Sequence, residues 1–115
     1  MSADCIFCKI AKKEIPSEIV YESDEIVAFK DIKPVAPHHI LIIPKKHIPT
    51  LDDLPDEDAP LIAKMFLVAR DLARSLGISE KGYRTVFNCR EEGGQEVFHL
   101  HLHLIGGRKM NWPPG

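Results

Sequence analysis

Three histidines alternate with leucines near the end of the chain, as His99-Leu100-His101-Leu102-His103. Side chains of a strand alternate between its two faces, so this spacing predicts that the imidazoles share one face and the leucines the other. The imidazoles would stand about 7 Å apart along the strand, while the leucines would face the core. Because titratable groups gathered in one place are typical of functional sites, we predict that the imidazole face does chemistry.

Two other interpretations of these histidines stay open. They could be surface residues of a half-exposed strand. They could also bind a catalytic zinc ion, because alternate strand residues do so in some enzymes. A straight row fits zinc poorly, since positions 99 and 103 would lie about 13 Å apart while zinc bonds nitrogen at about 2 Å.

Cys5-x-x-Cys8 has the spacing of half a zinc site, whose two further ligands must come from elsewhere in the chain. The alternative is a pair of reduced thiols in a short N-terminal helix. The chain has three cysteines, and a reducing cytosol disfavours a structural disulfide. The pair is therefore a candidate for metal binding rather than for oxidation.

Five strands are predicted to position these side chains. Short runs of β-branched and aromatic residues between turn-forming residues indicate strands, and the first two runs predict a hairpin. The predicted strands cover 19–21, 25–30, 39–43, 83–88 and 96–105. Gly93-Gly94 lies just before the last strand, in a loop whose backbone can approach a ligand closely.

One long helix is predicted at 60–76, where apolar residues recur every three or four positions. These residues are Leu61, Met65, Val68 or Ala69, Leu72 and Leu76. Asp56 or Asp58 can cap the start of this helix, and Gly77 can end it. Antiparallel strands interrupted by one main helix indicate the α+β class.

Length and charge exclude several classes of protein. With 115 residues the chain fits one domain spanning 1–115. A net charge of -2 offers no excess positive surface to a polynucleotide, so dedicated nucleic-acid binding is not expected. No apolar run approaches the roughly 20 residues that cross a bilayer, and residues 1–4 do not begin a secretory signal. We expect a protein of the cytoplasm, and also of the nucleus if its source is eukaryotic.

Residues 99–105 resemble the His-φ-His-φ-His-φ-φ motif of the histidine triad (HIT) superfamily, in which φ is apolar. Matching segments at 13–16, 29–39, 43–47, 82–84, 93–95 and 106–115 extend the resemblance over nearly the whole chain. The tail resembles the nucleotide-binding (Hint) branch more than the dinucleoside polyphosphate hydrolases or the mRNA-cap scavengers. The resemblance implies an α+β HIT-like fold, with a five-stranded antiparallel sheet, one long helix, and a homodimer through a continuous sheet.

The same resemblance implies a purine nucleoside phosphoramidase, which hydrolyses the P–N bond of AMP–amine conjugates such as AMP-lysine. His101 would attack phosphorus and form a nucleotidyl-histidine intermediate that water hydrolyses. The backbone carbonyl of His99 would hold the second ring proton of His101, and His39 would support the same arrangement. His103 would donate to the phosphate oxygens and to the leaving amine.

The resemblance also assigns contacts to the substrate. Asp31 would accept hydrogen bonds from the ribose hydroxyls, although by itself it reads equally well as a turn residue. Candidates for an apolar slot around the purine are Ile10, Ile15, Phe29 and Ile32. Candidates for contacts to ribose and phosphate are Asn88, Gly94, Gln95 and Glu96. Several eukaryotic relatives have Ser in place of Glu96, so this chain has a negative charge near an anionic substrate.

Some members of the superfamily bind structural zinc through a cysteine pair and two histidines, which correspond here to His47 and His99. The resemblance thus implies a zinc site of Cys5, Cys8, His47 and His99, and requires no metal at phosphorus. Two other functions stay open. The protein could be a nucleotide-binding regulatory or scaffold protein, or a dinucleoside polyphosphate hydrolase.

Overall fold

The computed structural model describes residues 4–115, which form two α-helices and five strands. In chain order these are α1 (Ile6–Ala11), β1 (Ile19–Glu22), β2 (Ile26–Lys30), β3 (His38–Pro44), α2 (Ala59–Ser75), β4 (Tyr83–Phe87) and β5 (Leu102–Gly106). Two short 3₁₀ helices, Leu51–Asp53 and Asp56–Asp58, precede α2. Most of the segment that argued against a secretory signal, residues 1–3, lies outside the described residues. Neither described α-helix is long and apolar enough to cross a membrane.

The five strands form one antiparallel sheet in the order β1-β2-β3-β5-β4. β1 and β2 make the predicted hairpin, with Ile19 opposite Phe29. The central strand β3 places Leu41 opposite His103 of β5 and His39 opposite Ile105. The predicted α+β class, with a five-stranded antiparallel sheet and one long helix, is confirmed.

The sheet has an apolar layer on each face, because side chains of its inner strands alternate between the two sides. Ile40 and Ile42 of β3 pack on the α2 side, while Leu41 and Ile43 pack on the α1 side. On the α2 side, Ile40 and Ile42 belong to one apolar cluster. Its other members include Ile26, Leu102 and Leu104 of the sheet and Met65 and Ala69 of the helix. On the α1 side, Leu41 and Ile43 join Phe7, Cys8 and Ile10 of α1, and Val27 and Phe29 of β2. Helix α1 is therefore packed on the sheet through apolar contacts.

Helix α2 forms close to its predicted range and buries Met65, Val68 and Ala69 on the sheet. Gly77 has a φ of +76°, a left-handed conformation that lets the chain leave the helix. Asp58 occupies the N-cap position but makes no capping hydrogen bond with its side chain. Its carboxylate instead lies 2.6 Å from the ammonium of Lys46, so the predicted side-chain cap is corrected to an ion pair.

The last strand is shorter than predicted. The alternation predicted a strand over 96–105, whereas β5 covers Leu102–Gly106 and residues 96–101 approach it as an irregular segment. The backbone N–H of Leu100 donates to the carbonyl of Ile48 at 2.6 Å, a bond outside the sheet ladder. Leu100, Leu102 and Leu104 nevertheless pack in one cluster against α2. The predicted core face is confirmed, and the predicted start of the strand is wrong.

Candidate active site

A cleft of about 460 Å³ opens between α1, the sheet and the segment that leads into β5. It brings together most of the predicted ligand-contacting residues. Its apolar lining includes Ile10, Ile15, Phe29 and Ile32. Its polar lining includes Asp31, His39, Asn88, Gly94, Glu96, His101 and His103. Ile32 is 90% exposed at the mouth of this cleft, where an apolar side chain can gain burial by covering a ligand.

His101 is held in one tautomer by the backbone. Its Nδ1 lies 2.8 Å from the carbonyl oxygen of His99, which can only accept, so Nδ1 carries the proton. Nε2 then has a lone pair, and it makes no hydrogen bond to any residue within 4–115. Burial lowers the pKa of His101, and the His99 carbonyl and the charges of Asp31 and Glu96 offset part of that effect. The ring is therefore neutral at pH 7, with a nucleophilic nitrogen in the wall of the cleft.

A chain of hydrogen bonds fixes the other two cleft imidazoles. The backbone N–H of Val35 donates to Nδ1 of His39 at 3.2 Å, so the proton of His39 is on Nε2. That N–H lies 2.9 Å from Nδ1 of His103 and donates to it. The proton of His103 is therefore on Nε2, the one buried side-chain nitrogen or oxygen without a partner in the described chain. A buried donor without a partner is costly, so this N–H suits an acceptor brought by a ligand.

The two carboxylate oxygens of Asp31 make different contacts, one with the backbone of its own loop and one with a cleft imidazole. Oδ1 accepts a hydrogen bond from the backbone N–H of Lys33 at 2.8 Å, which confirms the turn interpretation. Oδ2 lies 3.4 Å from Nε2 of His39 in the cleft wall. One carboxylate oxygen thus fixes the loop while the other faces the imidazoles.

Asp31, His39 and His103 also bring three metal-ligating atoms within 4.8 Å of one another. Nε2 of His39 nevertheless carries a proton, because Nδ1 accepts from Val35. A protonated nitrogen has no lone pair for a metal. The arrangement favours proton transfer over metal binding at these three residues.

Burial sets the protonation of the two linked imidazoles. It lowers the pKa of His39, and it lowers the pKa of His103 to about 4, with the charges of His101 and His39 acting in the same direction. The unfolded chain titrates these groups near the ordinary histidine pKa of about 6.5. Between these values the unfolded chain binds protons that the folded chain does not. The contribution of these two histidines to the free energy of unfolding is therefore fully present above about pH 6.5, and it is lost as the pH falls towards 4.

We expect the free energy of unfolding to decrease between pH 6.5 and pH 4, by at most about 1.4 kcal/mol per pH unit for each histidine that remains unprotonated in the fold. Urea titrations at a series of pH values measure this slope. His103→Asn should reduce the slope, while His38→Asn, outside the cleft, should leave it unchanged. Equal slopes in wild type and His103→Asn would contradict the assigned protonation.

Gln95 fastens the loop before β5 and does not line the cleft. Its side-chain amide donates to the carbonyls of Pro49 at 2.7 Å and Val97 at 3.0 Å, and its Oε1 accepts from the backbone of Arg90 at 2.8 Å. All its hydrogen-bonding groups point into the protein, and the residue is 6% exposed. The predicted contact of its side chain to phosphate is therefore corrected to a role in loop geometry.

The backbone N–H of Gly94 is also engaged, because it donates to the carbonyl of Glu91 at 3.0 Å. The neighbouring Gly93 is required by space, since a Cβ there would lie 2.5 Å from the carbonyl oxygen of Cys89. Among the cleft-lining groups that make no hydrogen bond within residues 4–115 are the backbone N–H of Glu96 and the side-chain amide of Asn88. These donors and Nε2 of His103 are among the groups that an anion in the cleft can reach.

A second cluster of potential metal ligands contains Cys5, Cys8, His47 and His99. Nδ1 of His99 is 3.3 Å from Sγ of Cys5, 3.5 Å from Sγ of Cys8, and 3.2 Å from Nδ1 of His47. Nδ1 of His47 is 3.3 Å from Sγ of Cys8. A tetrahedral ion bound at ordinary zinc distances separates two nitrogens by about 3.4 Å and a nitrogen from a sulfur by about 3.6 Å. The four donor atoms are close to that spacing.

The outer contacts of His99 leave its inner nitrogen free for a metal. Nε2 donates to the carbonyl of Pro44 at 2.7 Å, so Nδ1 is unprotonated. Burial lowers the pKa of His99 to about 4 and also lowers the pKa of His47. Two neutral imidazoles and two thiols converge on one point, and the cluster can hold a metal ion.

Three contributors to the site were missed at the level of sequence. Phe7 packs edge-on against His101 and His99, with ring centroids 5.1 Å and 6.0 Å apart. Val35 and Pro44 act through a backbone N–H and a backbone carbonyl. The position of Phe7 inside the Cys5-x-x-Cys8 spacing was a usable signal for its contact, whereas the types of Val35 and Pro44 carry no information about their backbone bonds.

Comparison with known proteins gives concordant matches over nearly the full chain. A family model described as "Scavenger mRNA decapping enzyme C-term binding" matches residues 4–112. A purine nucleoside phosphoramidase of Escherichia coli K12 is 49% identical over 110 residues, which is 96% of this chain and 92% of that protein. An uncharacterised HIT-like protein of Synechocystis is 50% identical over 115 residues and the full length of both chains.

Solved structures of similar proteins also match nearly the full chain. The crystal structure of a HIT family hydrolase from Legionella pneumophila has a TM-score of 0.95 and 57% identity, covering 97% of this chain and 100% of that one. A histidine triad protein from Clostridium difficile has a TM-score of 0.94 and 47% identity, with 96% of each chain covered. Both matches cover nearly the whole chain and so include the helix and the strands that line the cleft.

Proposed function

Because the chain belongs to the histidine triad family and is a hydrolase, we propose that it cleaves the P–N bond of purine nucleoside phosphoramidates, with AMP–amine conjugates as substrates. One observation carries the proposal. His101 has a lone pair on Nε2, and this ring lines a cleft that combines apolar side chains with polar and charged ones. The similarity to the E. coli purine nucleoside phosphoramidase supports the reaction class.

The purine would lie among Ile10, Ile15, Phe29 and Ile32, since ligand pockets are mostly apolar with few polar anchors. The ribose would lie against Asp31, whose Oδ2 can accept from a hydroxyl. The phosphate would then face the imidazoles. This orientation places the predicted apolar residues around the base and the imidazoles at the phosphate.

Nε2 of His101 would attack phosphorus and form a P–N bond to the imidazole while the bond to the substrate amine breaks. As Nε2 becomes bonded, the ring becomes cationic, and the His99 carbonyl stabilises the proton on Nδ1. Nε2–H of His103 would donate a hydrogen bond to a phosphate oxygen and stabilise the charge that develops there. His39 would hold His103 in this tautomer through its hydrogen bond to Nδ1, and a water molecule would supply the proton that the departing amine takes up. Water would then cleave the nucleotidyl-histidine and release AMP and the free imidazole.

The experiment is a comparison of two substrates with the wild-type protein. We expect release of AMP from an AMP–amine conjugate, and at least about a hundredfold lower kcat/KM for a diadenosine polyphosphate, a difference of ~2.7 kcal/mol in transition-state binding. Liquid chromatography of the nucleotide products measures both rates. Faster cleavage of the dinucleotide would favour the polyphosphate hydrolase. Tight AMP binding without turnover of either would favour the nucleotide-binding scaffold protein.

We further propose that the Cys5, Cys8, His47 and His99 cluster holds a structural zinc ion. Thiolate and imidazole are ligands that zinc prefers, and the four donors converge from three separate segments. When bound, the ion would fasten the start of α1 to the segment that carries His101. No step of the proposed reaction passes through it.

We propose finally that two copies associate into a homodimer through β4. This strand is at one edge of the sheet and pairs only with β5 in the described chain. Tyr83 of β4 is exposed, and Trp112 beside it is 81% exposed. An open edge strand with exposed aromatic residues is suited to pairing with a second copy.

A further inference from the structure

A second groove adjoins the cleft across a shared rim of Ile6, Glu96 and Val97, which line both cavities. We refer to it as the outer groove. It has a volume of about 470 Å³, and its other walls are formed by Asp4, Cys5, His47, Pro49 and Phe98. Glu96 thus lines both this groove and the cleft that contains His101.

The carboxylate of Glu96 makes no ion pair or hydrogen bond within residues 4–115. Asp52 and Asp53, by contrast, both lie within ion-pair distance of Arg90. The backbone before Glu96 is held by the bonds of Gln95, so the position is fixed while the charged group stays exposed. Its charge acts on His101, whose pKa it raises in part against burial.

The outer groove also has exposed apolar walls. Ile6 is 47% exposed and Phe98 is 49% exposed. These side chains can cover the methylene groups of a ligand that extends out of the cleft. The groove therefore combines the carboxylates of Glu96 and Asp4 with apolar surface.

On the proposed function, we infer that the outer groove receives the amine half of the substrate and that Glu96 selects amines with a second, positively charged ammonium group. In displacement at phosphorus the leaving group points away from the attacking atom. With the nucleoside at the Asp31 end, the amine must extend over a rim of the cleft. The negative charge of Glu96 repels an anionic substrate, and a positive charge on the amine half beside Glu96 would offset this repulsion. Glu96 therefore discriminates among substrates by the charge of their amine half.

The test uses three AMP conjugates of equal chain length, made from 1,5-diaminopentane, pentylamine and 5-aminopentanoate. We expect kcat/KM to decrease from the cationic to the neutral to the anionic chain, with about a fivefold difference between the first two, or ~1 kcal/mol for one exposed pair. Glu96→Gln should remove most of the preference for the cationic chain over the neutral one, and the remainder should come from Asp4 in the same groove. Glu96→Lys should favour the anionic chain. The preference should shrink at 0.5 M salt, which is about three times the physiological ionic strength.

Glu92→Gln is the matched control, because Glu92 is exposed in the same loop and lines neither cavity. This variant should retain the fivefold preference. Equal rates for all three conjugates in the wild type would overturn the inference and leave the proposed function intact. If no conjugate is turned over, the proposed function fails. Dissociation constants of the three conjugates for His101→Asn, measured by calorimetry, then still test whether Glu96 prefers the cationic chain.

Discussion

Replacement of His101 by asparagine is expected to lower kcat/KM for an AMP–amine conjugate by at least about 10³-fold, as loss of a nucleophile does in other covalent catalysts. The same variant should bind AMP within about threefold of the wild type, a change below ~0.7 kcal/mol. The two effects separate because asparagine can still donate to the His99 carbonyl and fills the same part of the cleft wall. It has no nitrogen lone pair with which to attack phosphorus.

Single-turnover kinetics and calorimetry measure the two quantities, and His38→Asn supplies the control. His38 begins β3 next to His39 but does not line the cleft, so its substitution should leave both quantities unchanged. A wild-type reaction quenched at high pH should contain protein with one covalently bound nucleotidyl group on His101. Wild-type turnover by His101→Asn would eliminate this histidine as the nucleophile.

The sequence predicted the faces of the strands better than their lengths. Leu100, Leu102 and Leu104 were predicted to share the core face, and they do so against α2. That result depends only on the alternation of side chains along an extended backbone. The predicted strand nevertheless began six residues too early, because ladder formation depends on the partners of the backbone. Leu100 bonds to Ile48, which no pattern of residue types in 96–101 could indicate.

The spacing of the imidazoles shows the same limit. A regular strand predicted rings about 7 Å apart, while the ring centroids of His101 and His103 are 4.9 Å apart. The prediction that three histidines act on one face was also too simple, since His99 faces the cysteine pair instead of the cleft. Its role in the cleft is carried by its carbonyl. The residue types thus predicted which histidines take part. Their assignment to the cleft or to the cysteine cluster depends on hydrogen bonds to backbone carbonyls, of Pro44 for His99 and of His99 for His101.

Loss of Cys5 from the proposed zinc-binding cluster is expected to have the largest effect on stability. In Cys5→Ser the serine can keep the N-cap hydrogen bond that Sγ of Cys5 accepts from the backbone of Cys8 at 3.3 Å. Helix capping is therefore preserved while a zinc ligand is lost. We expect the bound metal to fall from about one ion per chain to a small fraction. The free energy of unfolding should decrease by about 3 kcal/mol and Tm by about 10 °C.

Elemental mass spectrometry and calorimetric melting measure these changes, with Cys89→Ser as the control. Cys89 is half-buried and lies outside the cluster, so its substitution should retain both metal and Tm. A zinc chelator should lower the wild-type Tm to that of Cys5→Ser and leave the variant unchanged. Turnover well below Tm should change far less than in His101→Asn, because the carbonyl that orients His101 belongs to the backbone and the ring of His99 is still held by Pro44. Wild-type protein that contains no metal and does not respond to the chelator would reduce the cluster to two buried thiols packed against two neutral imidazoles.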